Sequence, residues 1–435
     1  MSQAATAPGV AGNGASTERA AEGPAARVRA ESGPGVYVHV PFCAARCGYC
    51  DFASGSLSAA AVERYLTGIE RELERRAPGA SGTVFRSVFF GGGTPSALSS
   101  RHFRRLWSAL RAHLSLASGA EITLEVNPES ASDARISGWL DAGVNRLSFG
   151  VQSFHDDELA RLGRLHDAER AARAFLRARA LGVPMLSLDL MFAFPDHTRA
   201  RWDATLDRCL SLEPEHLSAY AFIVEAGTPL GNAVLRGEQA TPEPELEAEL
   251  YETLIDRTSA AGLAGYETSN FCVPGAESRH NLGYWLRRPY LSLGPSAHGL
   301  FAGVRYANYW SLDRWAEALE RGLLPESERE PESDESRARE TILLGLRLGS
   351  GLVLDDSPGV ERDILLARYG PALEGAVRAG RLERTVGGYR VHPRHRFVAD
   401  DIIAWVDAAA SRAFDRSGCT PIIPSPCPNL PSLAV

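Results

Sequence analysis

The sequence has no stretch of about 18 residues that is apolar and free of charge, glycine and proline, the length a helix needs to cross a bilayer. A membrane-embedded chain is therefore not expected. It also lacks a basic N-terminal segment running into an apolar one, so no secretory leader is read. Glu18, Glu22 and Glu31 are out of place in an acid-poor transit peptide. Cysteine is scarce. Seven cysteines in 435 residues do not make a disulfide framework, and a reducing, cytoplasmic compartment follows. No period of roughly 20–50 residues recurs, which argues against a solenoid. There is no basic excess either: the net charge is −8 and the pI about 5.8, so a broad nucleic-acid-binding face is not expected. Residues 1–34 have almost no large apolar side chain and read as a disordered arm. The segment 413–435, with five prolines from Pro421 to Pro431, reads as a loose tail that carries Cys419 and Cys427.

Between these ends, strand-like and helix-like segments alternate. Strands are expected at 36–40, 84–90, 121–126, 146–151, 184–190 and 216–224, and amphipathic helices at 59–76, 100–115, 133–142, 168–181 and 200–212. Alternation of this kind predicts parallel βαβ units. Six of them with right-handed crossovers predict an α/β fold, a partial TIM-like (β/α)6 barrel over 35–230. An extension follows over 231–330, with a long helix at 243–261 and then an irregular aromatic-rich region. Residues 331–412 read as helix, short helix, helix and a hairpin of 381–385 with 389–392, turned at Gly387-Gly388. That helical, winged-helix-like unit has no helix rich in arginine and lysine for a DNA groove, so it is taken as a lid or docking domain.

The unusual residues fall just after the predicted strands, where βα barrels build their sites. Cys43, Cys47 and Cys50 follow the first strand in Cys-x-x-x-Cys-x-x-Cys spacing, short enough for three thiolates to serve one metal centre. Three ligands leave one iron of a 4Fe–4S cubane open; with His39 they also make a Cys3His zinc set. Gly91-Gly92-Gly93-Thr94 follows the second strand, and its backbone can approach a ligand with no Cβ in the way. Glu125 ends the third strand, as partner for a ligand ammonium or as a rim salt bridge. Gln152, Arg164 and Asp189 can hold carboxylate and hydroxyl groups, or make structural polar contacts.

Taken together, Tyr37-Val38-His39-Val40-Pro41-Phe42-Cys43, Phe89-Phe90-Gly91-Gly92-Gly93-Thr94-Pro95-Ser96, Glu125-Val126-Asn127-Pro128 and Leu147–Phe154 resemble the coproporphyrinogen-oxidase-like branch of the radical S-adenosylmethionine (SAM) superfamily. Leu162-Gly163-Arg164-Leu165-His166 and Ala219-Tyr220-Ala221 fit the same pattern, and within that branch the chain is similar to the heme chaperones. The resemblance implies a radical-SAM-type barrel in which Cys43, Cys47 and Cys50 bind a 4Fe–4S cluster. It implies that Tyr37, Gly92, Gly93, Thr94, Glu125, Gln152, Arg164, Asp189 and Ala221 line the SAM site, with Tyr49 beside the cluster. One departure is Ala193 where the family usually has glycine; another is His197 in place of a frequent glutamine.

The related oxygen-independent coproporphyrinogen III oxidase of porphyrin biosynthesis carries a further cysteine two residues after the third ligand, where this chain has Phe52. Oxidase activity is accordingly not expected, and no residue is given a catalytic role. His280-Asn281-Leu282-Gly283-Tyr284-Trp285 resembles the chaperones' heme-binding motif. His280 is the implied iron ligand, Tyr284 and Trp285 are candidates to stack on the macrocycle, and Arg279, Arg287 and Arg288 can meet propionates. A histidine beside aromatics is also an ordinary packing residue. The implied partners are a heme-accepting protein, itself able to sit peripherally on a membrane, and an electron donor such as a flavodoxin or ferredoxin, with no nucleic acid.

Overall fold

Val36, Val38 and Val40 are fully buried on one face of their strand, while Tyr37 and His39 point to the other. The same period of two runs through the strands that follow, and it decides the architecture. In the computed structural model, which describes residues 29, 31–357 and 359–416, six parallel strands stand in chain order: β1 (Gly35–Val40), β2 (Val84–Gly92), β3 (Ser115–Val126), β4 (Arg146–Gln152), β5 (Met185–Phe192) and β6 (His216–Ala221). Their apolar face, including Phe90, Leu124, Phe149, Leu188 and Leu217, packs against helices such as Ala59–Arg76, Ser100–His113 and Ala168–Ala180. The opposite face carries Tyr37, Phe89, Thr123, Glu125, Ser148, Asp189 and Ser218 and lines a polar lumen. The expected α/β partial barrel is this one.

The aromatic-rich region after the helix at 243–261, read from sequence as irregular, builds both edges of the sheet. Tyr290–Leu293 adds in parallel beside β1, followed outward by antiparallel His298–Phe301, Val304–Asn308 and Glu326–Pro331. Asn270–Cys272 pairs antiparallel with β6 and carries Ala264–Gly265 at its far side. The helix Pro244–Ala260 is where periodicity places it. In the C-terminal unit the hairpin strands are Leu382–Thr385 and Gly388–Val391, so the turn is Val386-Gly387, one residue earlier than expected. Leu352–Val353 makes it a three-stranded sheet, and a further helix, Ala399–Arg416, follows it. That helix includes the first four residues expected in the tail; the rest of the tail, with Cys419 and Cys427, lies outside the described residues, as does residue 30 and all of the arm before residue 29. The described end of the arm is packed: Ser32 is buried, Glu31 meets Arg279 at 2.9 Å, and Pro34 accepts a backbone bond from Arg86.

The edge extension is tied to the barrel through one buried acid. Glu72 accepts bonds from Arg76 Nε (2.8 Å), Asn308 Nδ2 (2.8 Å), Gly294 N (2.9 Å) and Trp315 Nε1 (3.1 Å), while Arg76 also reaches Glu326 and lies over the Tyr306 ring. A charge this deep is tolerated because all its partners are present. The loop after β5 shows a second local solution. Ala193, where the family favours glycine, has φ +59°, in the left-handed region that costs a residue with a Cβ about 1–2 kcal/mol. Its amide donates to His197 Nδ1 (3.0 Å), and the imidazole stacks on Phe194 with ring centroids 4.4 Å apart. The two departures from the family pattern are thus in contact, His197 bracing the turn that Ala193 strains.

Glu72→Ala is expected to destabilise the fold by about 3–5 kcal/mol, because it takes one acid from Arg76, which keeps Glu326, and leaves the Gly294 amide and the Trp315 indole N–H without their acceptor; urea unfolding measures this. By the same assay Ala193→Gly is expected to stabilise by about 1 kcal/mol, and a loss would show that the turn is not strained.

Candidate functional site

The cysteine loop starts where β1 ends and is pinned from two sides. Gly48 N donates to Leu162 O (3.0 Å), and Leu230 N donates to Gly48 O (2.8 Å). Phe42–Cys43 pairs in parallel with Gly55–Ser56. Two of the sulfurs already have donors: Thr94 Oγ1 lies 3.5 Å from Cys43 Sγ and Arg164 Nη1 3.3 Å from Cys47 Sγ. Tyr49 packs against the apolar group of Leu162, Met191, Phe194, Phe222 and Leu230 and bonds the Cys47 sulfur. Burial pushes the Cys50 thiol up to about 11, with the neighbouring thiols adding.

Strand ends converge on this loop. Arg164 also donates to Asn127 Oδ1 (2.8 Å) and Gly150 O (2.6 Å), and Asn127 Nδ2 donates to Thr94 Oγ1 (3.2 Å), so β2, β3 and β4 meet around Arg164. Asn127 had no assigned role in the sequence, although it lies inside the Glu125–Pro128 motif. Gly92 has φ +108°, and its amide donates to Glu125 Oε2 (3.1 Å). A Cβ on Gly92 would stand 2.6 Å from the His39 ring, and one on Gly93 2.8 Å from Phe42 O, so the triplet has to be glycine for the strand to turn here. Gln152 has φ +72° at a register shift between β4 and β5, which turns its side chain out of the ladder. Asp189 is held by Ser148 (2.8 and 3.0 Å) and Ser187 (3.3 Å), and burial raises its carboxyl to about 6. Ala221 ends β6 opposite Phe192. Tyr37 stacks on Phe89 and shares a 3.1 Å hydrogen bond with His39 Nδ1.

This donor set does not suit a single zinc ion. His39 spends Nδ1 on Tyr37 and Nε2 on Ala53 O (3.0 Å), and among the described residues no three His, Cys, Asp or Glu side chains converge on one point. A cubane takes each thiolate on a different iron, so its sulfurs stand further apart than the ligands of one ion, and three thiols on one eight-residue loop suit it. Glu125 fits the second expected group. Burial, with the Asp189 charge adding, raises its carboxyl to about 8, and it has no cationic partner among the described residues. An acid so placed calls for a ligand cation. Arg164 Nε is likewise buried without a partner.

His280 lies elsewhere. Its Nδ1 is 2.8 Å from Ser87 Oγ and its Nε2 is 2.9 Å from Tyr284 OH; the ring stacks on Phe89 and is almost fully buried. Burial lowers its pKa to about 3. Its neighbours Gly35 and Ser87 belong to the starts of β1 and β2, roughly 15 Å along the strands from the cysteine loop. The helix Arg279–Trp285 plugs the barrel floor, with Glu121 accepting from the amides of Arg279 and His280 at its N-terminus (3.1 Å each). As placed, His280 is a satisfied core histidine. The crevice beside it has no room for even a water molecule, and as it stands it does not admit a macrocycle. Trp285 packs on Leu344 and Leu348 of the C-terminal unit. Arg287 pairs with Glu332, Glu340 (3.0 Å) and Glu361 (3.9 Å), and Arg279 with Glu31; neither is a free propionate partner.

The Radical SAM superfamily model matches residues 37–209. The chain is 35% identical over 340 residues to the heme chaperone HemW of Bacillus subtilis, covering 78% of this chain and 88% of that protein. It is 39% identical over 332 residues to the heme chaperone HemW of Mycobacterium tuberculosis, covering 76% and 85%. The structure of Escherichia coli coproporphyrinogen III oxidase superposes with a TM-score of 0.75 at 21% identity, over 88% of this chain and 92% of that one, which shows a common fold. The chain thus belongs to the HemW family within the radical SAM superfamily.

Proposed function

We propose that this chain is a cytoplasmic heme chaperone that holds a 4Fe–4S cluster and SAM at the barrel mouth, binds heme, and passes it to an acceptor protein. The observation that carries the reading is the mouth itself, where Thr94 and Arg164 donate to two of three clustered thiols beside an acid, Glu125, that has no cationic partner among the described residues. Cys43, Cys47 and Cys50 hold the cluster, and Tyr49 shields it. When bound, cluster and SAM supply one-electron chemistry, for which a flavodoxin or ferredoxin is the fitting donor. Glu125 takes the SAM ammonium. The backbone at Gly92 and Gly93, with Thr94 and Gln152, lies against its methionyl end, and Arg164 holds the carboxylate. Asp189 holds ribose hydroxyls, and Tyr37 and Ala221 line the remaining wall. His280 would be the protein's ligand to heme iron, which requires that the floor open, since Ser87 and Tyr284 occupy both its nitrogens in the closed form. No helix among the described residues is long and apolar enough to cross a membrane, and a membrane-associated acceptor would be met from solution.

The oxidase is the second reading, favoured by the shared fold alone. Phe52 weighs against it, standing where the oxidase has its additional cysteine.

Anaerobically reconstituted protein is expected to contain iron and sulfide and to bind heme with a spectrum that changes in His280→Ala, while leaving coproporphyrinogen III untouched. Robust decarboxylation of that substrate would replace the chaperone reading with the oxidase. The charge on Glu125 gives a separate test. Its carboxyl ionises near 4.5 in the unfolded chain and near 8 in the folded one, so between those values the folded state keeps a proton that the unfolded state has lost. Stability of the cluster-free protein therefore falls as pH rises through that window, by up to about 1.4 kcal/mol per pH unit from this one group. Glu125→Gln is expected to flatten the fall between pH 6 and 8 in urea unfolding, and an unchanged slope would mean that Glu125 is ionised throughout.

A further inference from the structure

Asn127, a residue of the mouth with no role assigned above, joins the two side chains that reach the cysteine sulfurs. Arg164 donates from Nη2 to Asn127 Oδ1 (2.8 Å) and from Nη1 to Cys47 Sγ (3.3 Å). Asn127 Nδ2 donates to Thr94 Oγ1 (3.2 Å), and Thr94 Oγ1 donates to Cys43 Sγ (3.5 Å). One carboxamide thus stands between the donors on two of the three thiols. The third, Cys50, is served separately by the Phe52 amide. The backbone of Asn127 is fixed on both sides. Its N–H donates to Ser96 Oγ (3.1 Å), and its carbonyl accepts from Ser130 Oγ (2.7 Å) and Ser130 N (2.9 Å). Gly150 lies close against the pair: a Cβ there would stand 3.2 Å from Arg164 Nη2 and 3.5 Å from Asn127 Oδ1.

The direction of each bond follows from what the groups can give. A guanidinium only donates, so the amide oxygen has to face Arg164, and this leaves the amide NH2 for Thr94. A hydroxyl has a single proton. With Asn127 donating to the Thr94 oxygen, that proton is left for the Cys43 sulfur, so the amide decides where it points. Arg164 is set in the same way. Its Nη2 is taken by Asn127 Oδ1 and by Gly150 O (2.6 Å), while Nη1 meets Cys47 and the buried Nε has no protein partner. Donors on the sulfurs of an iron–sulfur cluster favour its more negative, reduced state and so raise its reduction potential.

We infer that Asn127 is a positioning residue that raises the reduction potential of the cluster at the mouth, by directing the Thr94 hydroxyl proton to Cys43 and Arg164 Nη1 to Cys47. The inference rests on the reading that Cys43, Cys47 and Cys50 hold a 4Fe–4S cluster, and it adds how the protein tunes that cluster. It does not depend on heme binding. An aspartate in this place has nearly the same shape and the opposite effect. A carboxylate accepts from both neighbours, so it keeps Arg164 and draws the Thr94 proton away from Cys43.

The test uses the full chain, anaerobically reconstituted, as wild type, Asn127→Asp, Thr94→Val and the double variant. Iron and sulfide are measured in each, and the midpoint potential of the cluster is taken from a redox titration followed by electron paramagnetic resonance. Asn127→Asp is expected to disfavour one-electron reduction roughly tenfold, the weight of one hydrogen bond to a charged acceptor, which is a fall of about 59 mV. Thr94→Val is expected to lower the potential by less. In the Thr94→Val background the further fall on Asn127→Asp is expected to shrink, because only the direct effect of the new charge remains. An unchanged potential in Asn127→Asp overturns the inference. Equal falls in the two backgrounds also overturn it, because the substitution then acts by charge and not through Thr94. Where a variant with the new carboxylate assembles no cluster, the uncharged Asn127→Ala takes its place. That variant is expected to disfavour reduction roughly threefold, and an unmoved potential overturns the inference. Full iron and sulfide with unmoved potentials remove this inference alone, whereas wild-type protein that assembles no cluster removes the cluster reading and this inference with it.

Discussion

A polar face of a parallel sheet turned inward has to find its hydrogen bonds inside the barrel. Side chains across neighbouring strands supply most of them: Ser148 with Asp189, Ser187 with His216 (2.8 Å), Ser218 with Asn270 (2.7 Å), and Ser87 with His280 from the plug helix. A buried polar group without a partner costs more than an ordinary hydrogen bond returns. Pairing of this kind therefore makes the lumen stable as well as polar. Towards the mouth the pairing runs out. Among the described residues Glu125 has one amide and no cation, and Arg164 keeps a buried Nε unpaired. Single buried atoms without a partner occur elsewhere in the barrel too, among them Arg146 Nη2 and Arg288 Nε, but at the mouth a carboxyl and a guanidinium short of partners lie beside the cysteine loop, as expected where a charged ligand finishes the hydrogen bonding.

The same constraint separates the two ends of the molecule chemically. Burial drives His280 to the neutral form, and His39 down to about 4, while it holds the Glu125 and Asp189 carboxyls towards theirs. A neutral imidazole is the form that ligates iron. A row of rings joins the ends, from Tyr37 on Phe89 (centroids 6.3 Å apart) to His280 on Phe89 (5.2 Å) and Tyr284 on His280 (4.8 Å). Tyr37 at the mouth and Tyr284 at the floor are thus packed through two intervening rings, so a shift of the plug helix reaches Tyr37 through close-packed side chains.

How much of this could be read from the sequence depends on the range of the interactions. The six parallel strands and their helices were legible because each is a local pattern of period 2 or 3.6; the helix Ala59–Arg76 lies at the expected residues. The cysteine loop, the glycine turn and Glu125 were legible as short motifs in fixed order after strands. The edge strands were not. Tyr290–Leu293 has four residues and Asn270–Cys272 three, too few for periodicity, and they become strands by pairing with β1 and β6, far away in sequence. Asn127 and Ser148 were missed for a similar reason, since only the fold sets them beside Arg164 and Asp189.

His280 is the most instructive case, because the motif was visible and its location was not. Its resemblance to a heme motif suggested an open ligand, while the chain's own partners make it a core residue with both nitrogens used. These two descriptions conflict only if the floor is rigid. The plug is a seven-residue helix, capped by Ser278 and by Glu121 and held from outside by Trp285 on the C-terminal unit. A helix this short derives its stability from such tertiary contacts and little from its own hydrogen bonds. The form shown is closed, with His280 satisfied by Ser87 and Tyr284; the proposed heme ligation requires a second form, in which iron would take the place of the tyrosine hydroxyl. A metal bond at Nε2 leaves the Nδ1 bond to Ser87 intact, and a hydrogen bond at the second nitrogen is what fixes a ligating imidazole in tautomer and orientation. On the proposed reading, packing and ligation would draw on the same buried pair, Ser87 and His280, with the imidazole already oriented by Ser87 before iron arrives.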